Sequence, residues 1–392
     1  MEERTRAYLR GRFGDYYRRT AASPPPDAAS REWGYIPWTS GPDTTMIRHR
    51  SLLDLGDLGE FLARERPRHV YFSAGRYDDP GAGSMSEKGW LGSDLVFDLD
   101  ADHLPGVDPA ADRYASMLSA CKAELQDLLS FLREDFGFRD LQVVFSGGRG
   151  YHVHVRDDRV QAMESDQRRE VVDYVRGTGL DFEALISEES AAGTYGRKTP
   201  GTRRTLPADG GWGRRVHDRL TALVDDLLAA DRETALERLQ AFDEIGEKRA
   251  EAALNAMEQN RDAIAAGNVD VHNAVFAVAR RVAADAAREE HAHIDEPVTT
   301  DVNRLIRLPG SLHGGTGLVV RPLDPAEIDG FDPLTDAVAD TFRGREVRVD
   351  VHDGGDLEFE GQTFTVADGV ESVPEYVAVF LMARGRAEKA RE

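Results

Sequence analysis

The chain has 392 residues, enough for two or three domains or one large domain with insertions around a substantial core. Its one cysteine, Cys121, excludes an internal disulfide framework and any multi-cysteine zinc site, so oxygen atoms are the better candidates for metal ligands. The formal charge is −22, with only five lysines among 49 basic residues, a balance suited to a salt-rich cytoplasm. There the Debye length shrinks to ~3 Å, and anions must be held by short bidentate arginine contacts rather than by long-range steering.

In chain order, residues 1–20 are predicted to form a helix that stops before the prolines of "TAASPPPDAAS". The start, "MEERTRAYLRGRFGDYY", lacks a signal peptide's apolar stretch, and no apolar run approaches the ~18 residues of a membrane span, so a cytoplasmic chain without a membrane partner is expected. Four β-prone runs follow: "RHVYFSAGRY" (68–77), "SDLVFDLDA" (93–101), "LQVVFSGGRGYHVHV" (141–155) and "NRLIRLPGSL" (303–312). Between the second and third, Leu118, Leu125, Leu128, Leu129 and Leu132 recur at helical spacing. The stretch 190–215 reads as a Gly-rich loop carrying Arg197, Lys198, Arg203, Arg204, Arg214 and Arg215, the most basic segment of an acidic chain. Helical periodicity dominates from about 217 to 290, and two or three strands with a closing helix from Pro374 are predicted after Phe342.

Three stretches carry chemistry. In "VFDLD", alternation puts Asp98 and Asp100 on one strand face about 7 Å apart, with Val96 beside them and Phe97 and Leu99 behind. Paired carboxylates repel unless cations sit between them, so the pair suits Mg2+ or Mn2+; the plainer reading is a strand end with solvated carboxylates, which is how Asp94 and Asp102 are read. In "FSGGRGYHVHV", Ser146 to Gly150 form a turn whose amides can face an anion, with Arg149 projecting and His152 and His154 on one face of the strand beyond. A core histidine beside an exposed one is the plain alternative. In "HIDEPVTTDVNRLIRLPGSLHGGTGL" (293–318), Asp295 or Asp301 offers a third carboxylate, Arg304 and Arg307 offer cations, and a Pro-Gly turn presents Ser311 and His313.

The combination and order of these stretches resemble the catalytic small subunit of the archaeal and eukaryotic type of DNA primase, from the first strand cluster to about residue 320. The resemblance implies the prim-pol α/β fold, a mixed, mainly antiparallel sheet with flanking helices and a helical insertion. The expected division is 1–213 as the first part of the catalytic core, 214–290 as helical insertion or flanking helices, and 291–392 as the second part of the core. It implies a nucleotidyltransferase that makes short primers of RNA, with DNA as a further product, on single-stranded DNA in replication. Asp98, Asp100 and Asp295 take the place of its metal-binding carboxylates, Asp295 being chosen over Asp301 because it stands just ahead of "VT". Ser146, Arg149, His152, Arg307 and His313 match its nucleoside triphosphate contacts, and Arg48 matches an early arginine facing the nucleotide. A large-subunit partner in a heterodimer, a single-stranded DNA template, nucleoside triphosphates and the replication machinery are implied. The basic stretch Arg197–Arg215 is a candidate contact to template or primer backbone.

Two departures stand out. Gly148 replaces a basic residue that often precedes the one matched by Arg149, and the interval that holds a zinc knuckle in many relatives keeps only His103 and Cys121, so a structural zinc is not expected and helix packing around Met117 and Leu118 takes its place. Alternatives are a primase-polymerase of repair or damage tolerance, with no ligase or helicase segment expected here, and a silent nucleotide-binding module, which would not need all three carboxylates.

Overall fold

The computed structural model describes residues 1–21, 23–39, 45–109, 111–191, 201–289 and 291–391. In chain order, helix α1 (Glu3–Arg19) precedes strands β1 (Arg31–Ile36), β2 (Ile47–Arg50), β3 (His69–Tyr77), β4 (Trp90–Ser93) and β5 (Leu95–Asp100), helix α2 (Tyr114–Ser130), and strands β6 (Leu141–Phe145) and β7 (Gly150–Val155). The hairpin β8 (Ser187–Ala191) and β9 (Gly201–Thr205) leads to helices α3 (Gly211–Ala229), α4 (Arg232–Gln240), α5 (Glu247–Ala265) and α6 (Asn273–Glu289). A short helix α7 (Glu296–Thr300), strands β10 (Leu305–Arg307) and β11 (Arg321–Leu323), strands β12 (Glu346–Val351), β13 (Gly355–Phe359), β14 (Gln362–Val366) and β15 (Gly369–Pro374), helix α8 (Glu375–Ala383) and strand β16 (Ala387–Lys389) complete it. Among the described residues, no helix is long and apolar enough to cross a membrane.

The chain divides into two compact units. One joins Met1–Gln126, Phe138–Val172 and His293–Glu392; the other joins Asp127–Gly137 and Asp173–Ala292, so the helical stretch 214–290 lies inside a unit that begins earlier.

The first unit is built on two antiparallel sheets, ordered β10-β3-β1-β2 with β4 also paired to β3, and β11-β6-β7-β5. Alternation explains β5: Leu95, Phe97 and Leu99 are fully buried on one face, while Val96, Asp98 and Asp100 lie on the other, opposite His154, His152 and Gly150 of β7. The sheets meet where Val96 packs with Ala74, Ile306 and Val298, and where Phe72 stacks on His154 with ring centroids 5.9 Å apart. Gly150 is what lets β7 lie so close to β5, since a Cβ there would sit 1.8 Å from the Leu99 carbonyl oxygen.

Asp94 corrects the sequence reading. Expected at a solvated strand end, it is buried at 1% exposure, where both its oxygens accept from Arg31 Nη2 (3.0 and 3.1 Å) and Arg156 Nε donates to it at 3.1 Å. Burial would raise this carboxyl, but His154, Arg31 and Arg156 outweigh burial and hold it well below the usual range. The C-terminal part also differs: β12 pairs with β15 and β16, β13 with β14, so five strands stand where two or three were read. The three-residue β16 follows helix α8 and is too short for alternation to reveal.

In the second unit, α3 to α6 bury one shared apolar cluster that includes Leu220, Val224, Met257, Val275 and Val278. The basic stretch is not a loop over its described part. Arg203 and Arg204 lie on β9, and Arg214 and Arg215 open α3. Arg204 pairs with Asp270 at 2.5 Å and lies 3.8 Å over the Phe276 ring; Arg214 pairs with Glu134; Arg215 pairs with Asp135 at 3.4 Å and lies 3.7 Å over Phe131. Carboxylates and rings of the same unit thus hold Arg204, Arg214 and Arg215. Arg197 and Lys198 lie outside the described residues.

Two stability outcomes follow from these pairs. Asp94→Ala strands the buried Arg31 and is expected to lower the unfolding free energy by about 3–5 kcal/mol in urea titrations. The loss should be equal at pH 6 and pH 8, because a depressed carboxyl contributes fully above its unfolded value of ~3.9 and gives up that contribution only as pH falls below it. Arg215→Ala, which takes from Asp135 the nearer of its two arginines and uncovers Phe131, is expected to destabilise by about 2 kcal/mol in the same measurement.

Candidate active site

Eight of the residues singled out by sequence line one cleft of about 430 Å3 in the first unit: Arg48, Asp98, Asp100, Ser146, His152, Asp301, Arg304 and Arg307. Strand pairing brings them together. Asp98 faces His152 across β5 and β7, the turn between β6 and β7 supplies Ser146, and β10 sets Arg307 opposite Tyr71 of β3. Asp295 is not among the lining residues, but its amide donates to the Asp98 carbonyl at 2.9 Å, which fixes the start of α7 beside β5. Asp301 does line the cleft, at a turn where its carboxylate accepts from the Asn303 amide at 2.9 Å.

Among the described residues no arginine or lysine is paired with Asp98 or Asp295, and the one at Asp100, Arg149 Nε, stands off at 3.9 Å. Burial pushes the Asp98 carboxyl up to about 6, Asp100 and Asp295 push it the same way by repulsion, and only the charges of Arg307 and Arg304 oppose them. His152 Nε2 lies 3.5 Å from Asp98, but burial and then Arg307 hold its imidazole far below the ordinary value, so it faces the carboxylate uncharged. Among the described residues no three His, Cys, Asp or Glu side chains stand close enough together to hold a metal ion. What is present is an oxygen donor set, Asp98 and Asp100 with Asp295 adjoining, whose mutual repulsion a hard divalent cation would relieve; this donor chemistry suits Mg2+ or Mn2+.

The turn after β6 is tied down on all sides. The Ser146 amide donates to the Gly150 carbonyl, the Gly148 amide to Ser146 Oγ, the Tyr114 hydroxyl to the Gly148 carbonyl and Thr316 Oγ1 to the Gly147 carbonyl. Gly147, at φ +75°, would place a Cβ 2.7 Å from that of His313, so its lack of a side chain seats His313 against the turn. Arg149 is paired with Asp102 and lies 3.9 Å from Asp100; Asp102 is therefore no solvated strand end but a tether for an arginine that was read as a triphosphate contact. Arg307 Nη1 donates to the Ser146 carbonyl at 3.0 Å, leaving its buried Nε without a partner. His313 Nδ1 meets Thr316 Oγ1 at 3.1 Å, and burial followed by Arg307 keeps its ring neutral. Arg48 on β2 is held by Glu32, which is itself bound by the buried Lys88 at 2.7 Å.

The two histidines of β7 are both buried, so the reading of one core and one exposed ring is set aside. Cys121 is buried in α2, its thiol 3.7 Å from the Leu99 carbonyl, while His103 is exposed and Met117 and Leu118 are buried. Sequence reasoning did not single out Tyr71, Asn303 or the tether Glu32. The cleft position of Tyr71 follows from its register with Arg307, and that of Asn303 from its place just before β10, neither of which a motif marks.

The DNA primase small subunit family model matches residues 97–325, which hold both carboxylates of β5, the turn after β6 and the stretch around α7 and β10. Over their full lengths, the DNA primase small subunits PriS of Haloarcula marismortui and Natronomonas pharaonis are 61% and 60% identical to this chain. That of Methanococcoides burtonii is 39% identical over 99% of each chain. With a cleft built from these motifs and relatives matched end to end, the chain belongs to the DNA primase small subunit family, the catalytic subunit of primase.

Proposed function

We propose that this small subunit joins nucleotides into primers on single-stranded DNA with Asp98, Asp100 and Asp295 holding divalent cations, Mg2+ or Mn2+. The observation that carries the reading is Asp98, a carboxylate raised by burial first and by two like charges after it, and faced by a neutral imidazole, an arrangement that is costly without a cation. Cations bound there would lower the pKa of the attacking 3′-hydroxyl and neutralise charge on the phosphates. The chain's own groups do the positioning. Arg307 and the turn from Ser146 to Arg149 cradle the triphosphate, and His152 and His313, held neutral, each donate one N–H without adding charge. Arg149 exchanges Asp102 for phosphate oxygens when the nucleotide arrives, a swap between two anionic partners that keeps the guanidinium satisfied. Glu32 and Lys88 hold Arg48 at the cleft's other side. A large-subunit partner, as the name of the family implies, would complete the enzyme.

Asp100→Ala and Asp98→Asn should each cut de novo oligonucleotide synthesis on single-stranded DNA, in molar salt with the large subunit, by about a thousandfold. Synthesis within threefold of wild type in either variant would reject the ligand assignment. Arg149→Ala should raise the nucleotide KM by about ten- to a hundredfold with an unchanged melting temperature, since the guanidinium contributes charge-assisted bonds to the substrate and only a half-exposed pair to the fold.

A further inference from the structure

Arg204, Arg214 and Arg215, which the sequence offers as contacts to a nucleic-acid backbone, each bond a carboxylate of their own unit. Molar salt weakens backbone contacts further, because sequence-independent phosphate binding falls steeply as salt rises. Stacking of a base on an aromatic ring involves no net charge for salt to screen, so an acidic chain in such a medium can hold a single strand by an exposed ring. Among the described residues Trp90, at 37%, is the only exposed phenylalanine, tyrosine or tryptophan.

That ring is tied to the rim of the catalytic cleft. Trp90 opens β4 opposite Tyr77 of β3. Its indole N–H donates to Ser93 Oγ at 2.8 Å, and this buried hydroxyl donates to the Val302 carbonyl at 2.7 Å. Val302 stands between Asp301 and Asn303, both of which line the cleft, and the Tyr77 hydroxyl donates to Asn303 Oδ1 at 3.0 Å. Gly75 permits the approach, since a Cβ there would lie 2.9 Å from the Val302 carbonyl oxygen. With its one donor spent inward, the indole has only ring carbon left to present outward. Three of the six exposed large apolar side chains among the described residues, Met85, Trp90 and Leu91, fall between positions 85 and 91.

We propose that Trp90 is a stacking platform for an unpaired base of the single-stranded template at the rim of the catalytic cleft. The proposal rests on the primer-synthesis reading for the presence of a template there. A subunit interface of ordinary size draws on about 20–30 residues a side, far more than this segment exposes, whereas a base needs one ring face. Every base has such a face, so the contact is indifferent to template sequence. It also complements the cleft: carboxylates and arginines there meet the reacting phosphates, and an uncharged ring beside them holds the strand without competing for cations.

Fluorescence anisotropy of a labelled single-stranded DNA oligonucleotide titrated with the whole chain, in about 1 M and about 3 M KCl, tests this. Trp90→Ala, with circular dichroism matching the wild type, is expected to weaken binding about tenfold at both salt concentrations. Trp90→Phe, which keeps a ring but loses the Ser93 bond, should stay within about threefold of wild type. An abasic strand of the same length should bind the wild type about tenfold more weakly than the normal strand, with no further loss in Trp90→Ala; the wild-type half of that comparison needs no variant to fold. Equal losses in the Ala and Phe variants would assign the effect to the Ser93 bond and overturn the proposal. Wild-type affinity in folded Trp90→Ala, an equal loss on the abasic strand, or a defect confined to binding the large subunit would overturn it as well, the last by making Trp90 part of a subunit interface. Primer synthesis by the wild-type complex is measured separately: its absence would reject the nucleotidyl-transfer reading whatever the titrations give.

Discussion

The antiparallel pairing of β5 with β7 is the constraint from which the rest of the site follows. It sets Asp98 against His152 and Asp100 against Gly150, and the missing side chain at Gly150 allows the close approach to the Leu99 carbonyl that holds this register. A slip by one residue would turn Asp98 and Asp100 into the core and Leu99 out of it. The same pairing places the turn from Ser146 to Arg149 at the end of the two strands, over the carboxylates. Upstream, the buried Asp94 with Arg31 and Arg156 pins the start of β5 to the β3 sheet, so an ion pair far from the chemistry fixes where the chemistry begins.

Electrostatics within the cleft are arranged by sign and not by total charge. The chain is strongly acidic, yet His69, His152 and His313 are all pushed toward their neutral forms, by burial first and by Arg307 next. The neutral imidazole of His152 beside Asp98 leaves its repulsion from Asp100 and Asp295 unrelieved, while Arg48, Arg304 and Arg307 line the same cleft. Asp102 holds Arg149 in the meantime, with its Nε at 3.9 Å from Asp100.

The strand carrying Asp98 and Asp100, the Gly-rich turn and the stretch with Arg307 and His313 were legible because each couples a short alternating or turn pattern to side chains of obvious chemistry. Asp94 was not legible: its partner Arg31 lies 63 residues away, and nothing local separates a buried carboxylate from a solvated one. Arg204, Arg214 and Arg215 misled in the same way, since Asp270, Glu134 and Asp135, which neutralise them, lie 66 to 80 residues away along the chain. Asp102 and Glu32 were invisible as tethers for the same reason, being recognisable only once the arginine each one holds is in place.

The claim that the β5 carboxylates exist to hold divalent cations is tested most directly by anomalous diffraction from crystals of the chain soaked in Mn2+ with a non-hydrolysable nucleoside triphosphate. The account expects manganese density between Asp98 and Asp100, reached by Asp295, with the triphosphate running toward Ser146 and Arg307. Manganese density elsewhere, or a bound nucleotide with no metal at these carboxylates, would contradict it.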